Sequence, residues 1–283
     1  MAGATIRCAI SPDADDLFMF KGLLDGKVDS RGLTFDIVTR DTDLLNRMAS
    51  GDGPDVTAIS VAHYPAVAAR YRLFNHGGSV GRGYGPVVIA RADSPPLTPD
   101  TTIRIAVPGL TTTAFLVLRL AIGETFSPAV IPIAPPSLTF DALRAGTVDA
   151  ALVIHEGRLT YEDEGFIRLL DIGKWWGDTT QLPLPLGGNV VRRDLTPDVI
   201  QRVDAAIHDS IAWALANREE AIAWLLARGG PLRTHALVDT YLSLYANADT
   251  LDYGDDGREA IRHLLRIGAD RGWLPPVSIV DFV

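Results

Sequence analysis

The sequence holds a single cysteine, Cys8, among its 283 residues, so the chain can form no internal disulfide and no cysteine-built metal cage. A reducing compartment suits it. It also lacks an excess of basic charge: 26 Lys plus Arg stand against 35 Asp plus Glu, a formal charge of -9, which repels nucleic acid and anionic membrane surfaces. Neither is expected as a partner. Long apolar runs are missing as well, since the stretch 114–122 is broken by Arg119 and falls short of the roughly 20 residues a membrane span needs. The first residues show no cationic head followed by an apolar stretch, the mark of an export signal, so a cytoplasmic location is expected. Absent too are a GxGxxG opening a helix after a strand, a phosphate-binding Walker loop and a His-x-x-x-His pair. No cofactor and no metal site are expected.

What is present, 47% hydrophobic and 22% charged residues, suffices for one large or two medium globular domains. Runs at 7–10, 34–38, 56–60, 87–90, 104–107, 130–133 and 150–154 read as strands, with helical segments at 41–49, 63–70, 112–122 and 138–145 between them. That order predicts an α/β fold of parallel strands and crossover helices. Gly146 stands where a left-handed C-cap would end the last of those helices. Beyond Thr196 the chain turns helical: Ile200, Val203, Ile207 and Ile211 recur at helical spacing, as do Leu237, Tyr241, Leu244 and Tyr245. Thr196-Pro197 reads as a cap followed by a first-turn proline.

One pattern occurs twice. Met48-Ala49-Ser50-Gly51 leads to Asp55 and a strand, and Arg144-Ala145-Gly146 leads to Asp149 and a strand, as two similar α/β lobes would require. The Pro-rich segment 91–99 and the segment 187–193 read as crossings between lobes. The expected organisation is 1–91 plus 190–283 as lobe one and 92–189 as lobe two, hinged about a cleft.

Several blocks carry a family resemblance. Ser11-Pro12 with Asp15-Asp16-Leu17-Phe18, Gly81-Arg82-Gly83-Tyr84-Gly85-Pro86, Pro108-Gly109 with Thr112-Thr113-Ala114, and Ile154-His155-Glu156-Gly157-Arg158 stand in order along nearly the whole chain. Trp175-Trp176 and the run 182–187 fit with them. Together they resemble the 1,4-dihydroxy-6-naphthoate synthase family of menaquinone biosynthesis. The resemblance implies a two-lobed fold similar to periplasmic solute-binding proteins. It also implies a cofactor-independent lyase that acts on cyclic dehypoxanthinyl futalosine, a bicyclic carboxylate, inside the cell. It further implies His155 as general base and a substrate-binding surface from Ser11, Asp15, Asp16, Ser60, Arg82, Thr112, Thr113 and Ala114. Two other functions stay open: a non-catalytic solute-binding protein of the same fold, and a relative that dehydrates chorismate. The oligomeric state is not readable.

The chain departs from the family at its first motif, where the commoner pattern is Ser-Pro-Cys-Pro-Asn-Asp-Thr-Phe and this sequence has Asp13, Ala14, Asp15 and Leu17. Three carboxylates then follow a strand end, where open α/β lobes bind ligands. They either cap the next helix while facing water or form an acidic mouth that alters substrate preference. Arg82, between glycines, reads as a carboxylate clamp or as a plain surface arginine. Thr111, Thr112 and Thr113 open a helix, so hydroxyls and free N–H groups would meet a cleft anion, Thr111 serving as the cap. His155 ends an apolar strand on the ligand side, and at neutral pH an ordinary imidazole accepts a proton. Glu156 is expected on the opposite side, orienting its loop or pairing with Arg158, and one of Trp175 and Trp176 is expected to wall the cleft.

Overall fold

The computed structural model describes residues 4–94 and 103–283. The chain first lays down β1 (Thr5–Ile10), β2 (Thr34–Thr39) and β3 (Val56–Ser60), side by side and parallel in the order β2-β1-β3. The crossovers are α1 (Ala14–Leu24) and α2 (Thr42–Ser50). Helix α2 buries Leu45, Asn46 and Ala49, a helically spaced set. A 3-10 turn and α3 (Tyr64–Val67) lead to the short strands β4 (Tyr71–Leu73) and β5 (Ser79–Gly81).

A second sheet follows, built from β6 (Val87–Ala90), β7 (Arg104–Val107), β8 (Ser127–Val130), β9 (Ala150–Val153) and β10 (Ile167–Asp171) in the order β10-β6-β9-β7-β8. Every residue of β6 and β9 is buried, as befits apolar runs in the middle of a sheet covered on both faces. Around it stand α4 (Thr113–Ile122), α5 (Ser137–Arg144), α6 (His155–Thr160) and α7 (Ile172–Thr180). β11 (Leu184–Arg192) then returns to the first sheet, antiparallel to β3, β4 and β5. The remaining helices are α8 (Pro197–Ala216), α9 (Arg218–Arg228), α10 (His235–Tyr245), α11 (Ala248–Leu251) and α12 (Gly254–Asp270). Thr196 caps α8 by accepting from the Val199 N–H, ahead of Pro197.

The doubled pattern has a shared structural purpose. Asp55 Oδ2 accepts the Arg7 N–H and Asp149 Oδ2 accepts the Arg104 N–H, both at 2.8 Å. Each aspartate thus ties its own strand to the neighbouring parallel one, β3 to β1 and β9 to β7. Gly146 has φ +67, the left-handed value its position called for.

Three expectations change. Strands β6 and β11 each run antiparallel to their neighbours within otherwise parallel sheets, and β11 runs unbroken through most of 187–193, the segment expected to be a crossing. It tolerates Pro185 because the pairing with β5 shifts register between Pro185 and Gly187, the kind of irregularity that spares the missing donor. The sheet change also falls earlier than expected. β6 already belongs to the second sheet, so the chain crosses between Gly81 and Val87 and returns by Leu184. Of the Pro-rich segment, Pro95 to Pro99 lie outside the described residues; the segment joins β6 to β7 within one sheet. Finally, β8 ends at Val130, where the apolar run 130–133 had read as the strand itself.

One apolar cluster is shared by both sheets. It joins Val61, Tyr64 and Leu73 of the first lobe to Val88, Val107, Leu118 and Trp176 of the second and to Leu264 of α12.

Candidate active site

A cavity of about 740 Å³, its open mouth included, lies between the two sheets. It is lined by segments that follow four strands: Ser11, Asp15 and Asp16 after β1, Ser60 at the end of β3, Thr112, Thr113 and Ala114 after β7, and Ile154 and His155 after β9. Chain ends of parallel strands are where α/β sheets place ligands. Met19, Leu45, Ile59 and Leu186 supply apolar wall. Thus every expected site residue except Arg82 reaches this one space.

His155 does not continue its strand. It opens α6 with φ +49, a left-handed conformation that costs a non-glycine residue energy and that clusters at functional sites. The turn aims the ring at α10, where Tyr245 lies parallel to it with centroids 5.7 Å apart. His155 Nδ1 is 2.9 Å from the Tyr241 hydroxyl, and that hydroxyl donates to Asp15 Oδ1 at 2.8 Å. Asp15 Oδ2 accepts from Ser79 Oγ at 2.8 Å. Asp13 Oδ2 stands 3.7 Å from the same ring nitrogen and accepts from the Ser11 hydroxyl. Asp16 accepts the Ser11 N–H at 2.6 Å. Nε2 makes no hydrogen bond to the described residues, leaving it to face a ligand.

The three aspartates are 5%, 3% and 7% exposed, so the reading in which they face water fails, and Asp13, although at the N-cap of α1, makes no capping bond. Burial pushes the Asp13 carboxyl up, as does Asp15, and burial with Asp15 pushes Asp16 well up. Burial opposes charge on His155 too, but Asp13, then Asp15, Glu156 and Asp16, outweigh it and raise the imidazole to about 9. The ring therefore carries a proton at neutral pH, contrary to its ordinary value.

Carboxylate oxygens of Asp13 and Asp15 and a nitrogen of His155 lie within 4.8 Å of one another. Histidine spacing along the chain predicts no metal set, yet folding assembles one imidazole and two carboxylates, a donor set a divalent cation accepts. As built, Tyr241 joins His155 to Asp15, and Ser11 joins Asp13 to Asp16.

The facing wall is the start of α4. Thr112, not Thr111, is its cap, accepting from the Phe115 N–H at 3.2 Å. Thr112 also donates to Gly109 O, and Thr113 donates to Leu186 O while accepting the Ala62 N–H. Both hydroxyls are thus committed to the fold. What remains for an anion is the first-turn N–H groups of Thr113 and Ala114 and the positive helix end. Behind this wall, fully buried Asn46 bonds Ser60 through both its N–H and Oγ, and reaches Thr111 Oγ1 at 3.0 Å. Asp43 Oδ1 accepts from the same threonine at 2.7 Å. A side chain at Gly109 would place its Cβ 2.4 Å from Asp43 Oδ1, so this join between the lobes needs glycine there.

Arg82 is elsewhere. Its guanidinium is half-exposed and holds Asp249 at 2.6 and 2.9 Å and Asp256 at 2.7 Å, which occupies the donors a substrate carboxylate would need. Glu156 does not pair with Arg158, whose donors go to Gly85 O and Asp171. Both tryptophans lie on helix α7 rather than an extended segment: Trp176 is fully buried with its N–H on Pro183 O, Trp175 packs against the same core, and neither lines the cavity. Tyr241, Tyr245, Asn46 and Ser79 were not singled out from sequence. Two tyrosines four residues apart on a buried helical face were the available sign, because their hydroxyls need partners.

Comparison with known proteins fixes the lineage. A family model described as menaquinone biosynthesis matches residues 6–270. A protein of Thermus thermophilus named 1,4-dihydroxy-6-naphthoate synthase is 36% identical over 275 residues, 96% of each chain. The chain belongs to the 1,4-dihydroxy-6-naphthoate synthase family. A solved structure from Archaeoglobus fulgidus, 38% identical, superposes with a TM-score of 0.87 over 95% of this chain and 98% of that one. The family's fold is that of periplasmic binding proteins. The alkanesulfonate-binding protein of Xanthomonas axonopodis pv. citri, bound to MOPS, matches at 0.69 with 16% identity, over 98% of this chain and 96% of that one. Among the described residues no helix is long and apolar enough to cross a membrane.

Proposed function

We propose that the chain is a 1,4-dihydroxy-6-naphthoate synthase: a lyase that converts cyclic dehypoxanthinyl futalosine into 1,4-dihydroxy-6-naphthoate, with His155 as general base and no metal or redox cofactor. The observation that carries the proposal is the cavity-facing ring of His155, tied by Tyr241 to buried Asp15. The substrate carboxylate sits against the N–H groups that open α4, and its rings lie along Met19, Ile59 and Leu186. That leaves Nε2 of His155 to take a proton from the carbon skeleton.

The acidic surroundings serve this step after the proton has moved. Asp13 and Asp15 stabilise the imidazolium that forms, as a buried carboxylate does for a catalytic histidine elsewhere. A ring titrating at about 9 is the stronger base, at the cost of a smaller neutral fraction at pH 7. The raised carboxyls of Asp13 and Asp16 lessen the repulsion that three full charges would exert on an anionic substrate.

The deciding assay incubates purified protein with cyclic dehypoxanthinyl futalosine and, separately, with chorismate, and follows the products chromatographically. Naphthoate from the first alone is the expected result. Binding without turnover of either would return the chain to the solute-binding class.

A further inference from the structure

Four glycines line one side of the cavity: Gly77 and Gly78 just ahead of β5, and Gly187 and Gly188 within β11. Three of them answer to the fold. Gly77 is left-handed, with φ +74, and a Cβ there would meet Asn189 Nδ2 at 2.8 Å. A Cβ on Gly78 would collide with the Tyr253 hydroxyl and stand 2.6 Å from Gly187 O, and one on Gly188 would stand 3.1 Å from the same hydroxyl. Gly187 is different. Its backbone lies outside the left-handed region, so the register shift just before it does not call for glycine. A Cβ on Gly187 would meet only Ile59 O, at 3.6 Å, apart from its own chain neighbours, which is an ordinary contact.

The sheet fixes where such a side chain would go. Gly187 pairs with Ser60 of β3 on one side and with Ser79 of β5 on the other. Directly paired residues point to the same face of a sheet, and both serines line the cavity. A side chain at 187 would therefore rise between them into the cavity. Ser79 is tied to Asp15 of the catalytic cluster, while Leu186, next to Gly187, accepts from Thr113 at the start of α4. The bare backbone thus spans the ground between the base and the helix start. Glycine inside a strand costs conformational entropy and forgoes packing. Where the fold has no need of it, the close approach of a ligand supplies the reason.

We propose that Gly187 is a specificity-determining residue: it keeps this floor bare so that an aromatic ring of the ligand lies face-down on the backbone, between the carboxylate held at α4 and Nε2 of His155. A side chain there lifts the ring away from both. The inference rests on the reading of the cavity as the seat of a ring-bearing carboxylate.

The test uses 2-naphthoate, a flat aromatic carboxylate, as the ring probe and acetate as the ringless one. Each is titrated into ¹⁵N-labelled protein, with acetate followed at the Thr113 and Ala114 amide signals. Wild type is expected to bind 2-naphthoate. Gly187→Ala is expected to weaken that binding about tenfold, and Gly187→Val further, while acetate binds wild type and variants equally. Gly187→Ala is also expected to denature at or above the wild-type midpoint, because alanine fits the site and has less chain freedom to lose. A wild type that does not bind 2-naphthoate, or variants that bind it as wild type does, would overturn the assignment. So would a loss that extends to acetate, or a Gly187→Ala variant that is destabilised or unfolded, since the glycine would then serve the fold. Turnover by wild type is scored separately. Weakened 2-naphthoate binding in the variants with no naphthoate formed by wild type would leave Gly187 as the floor and remove the assigned reaction; naphthoate formed by wild type with unchanged binding in the variants would do the reverse.

Discussion

His155 and Tyr241 are 86 residues apart in sequence and 2.9 Å apart through Nδ1 and the tyrosine hydroxyl. That contact makes the carboxy-terminal helices part of the site. The ring comes from the end of a strand in the second sheet, and the hydroxyl that fixes it comes from α10, which packs on α1 behind the first sheet. Because the same hydroxyl also donates to Asp15, one tyrosine sets both the orientation of the His155 ring and the placement of a carboxylate that favours its charged form.

Tyr241→Phe keeps the buried ring and removes only this hydroxyl. Asp15 then loses one of its two donors, Ser79 being the other, and His155 keeps its unfavourable backbone angle without its tether. A buried hydrogen bond to a charged group is worth about 1.5–3 kcal/mol, so a stability loss of that order is expected in denaturant titration. Turnover should fall roughly 10–100-fold with KM nearly unchanged, because the lost contact touches the base rather than the bound substrate.

Arg82→Ala should leave KM unaltered, since the guanidinium is already held by Asp249 and Asp256 outside the cavity. Thr112→Val should act differently. It removes the cap of α4, which costs about 1 kcal/mol, and loosens the N–H groups assigned to the substrate carboxylate, so KM should rise severalfold while kcat holds. Steady-state kinetics on both variants separates the two sites. A raised KM in Arg82→Ala would mean that the ion pairs open on binding.

The unequal fates of these two guesses show what the sequence could convey. Strand ends that carry Ser11, Ser60, Thr112 and His155 were readable because apolar runs and turn residues are local signals, and the α/β rule puts such ends at the ligand side. Arg82 misled because a cation between glycines looks free until the fold brings up Asp249 and Asp256, 167 and 174 residues later. The same distance hid Tyr241 from His155. One of Trp175 and Trp176 is expected at the cleft if the segment is extended; on helix α7 Trp176 is instead buried in the core and Trp175 packs against it. The protonation of His155 was misjudged for a related reason: an isolated imidazole has an ordinary pKa, and only the buried aspartates change it.

Asn46 offers a check on how firmly the lobes are joined. Its side chain spans Ser60 of the first lobe and Thr111 of the second, and an apolar cluster common to both sheets lies close by. Asn46→Ala strands the buried Ser60 N–H, at a cost of about 1–3 kcal/mol, and unties one side of the join. Denaturant titration should show that loss. Small-angle scattering of the variant should show a larger compaction on adding product than wild type shows; equal compaction in both would mean that Asn46 does not restrain the lobes.

The pH dependence of the reaction follows from the group that sets it. A base whose folded pKa is about 9 makes kcat/KM climb close to tenfold per pH unit through neutrality and level off above about 9. Asp15→Asn removes one of the charges that hold the ring protonated and should bring that limb down toward the ordinary value of about 6.5. Stability should move the other way. His155 binds its proton more tightly folded than unfolded, so its contribution is complete below about pH 6.5 and is lost as pH rises through about 9. Glu156, raised to about 7 by burial and by Asp13, has the same sign: its folded form favours the proton, and stability falls as pH passes from the unfolded carboxyl range up through 7. Wild type should therefore lose stability steadily from pH 6.5 to 9, on the order of 3 kcal/mol from His155 alone, and His155→Asn should flatten that slope. Denaturant titrations at intervals across this range, run beside kcat/KM measurements, test both halves. A wild-type activity limb centred near 6.5, with no fall in stability up to pH 9, would show that the aspartates do not hold the proton on His155.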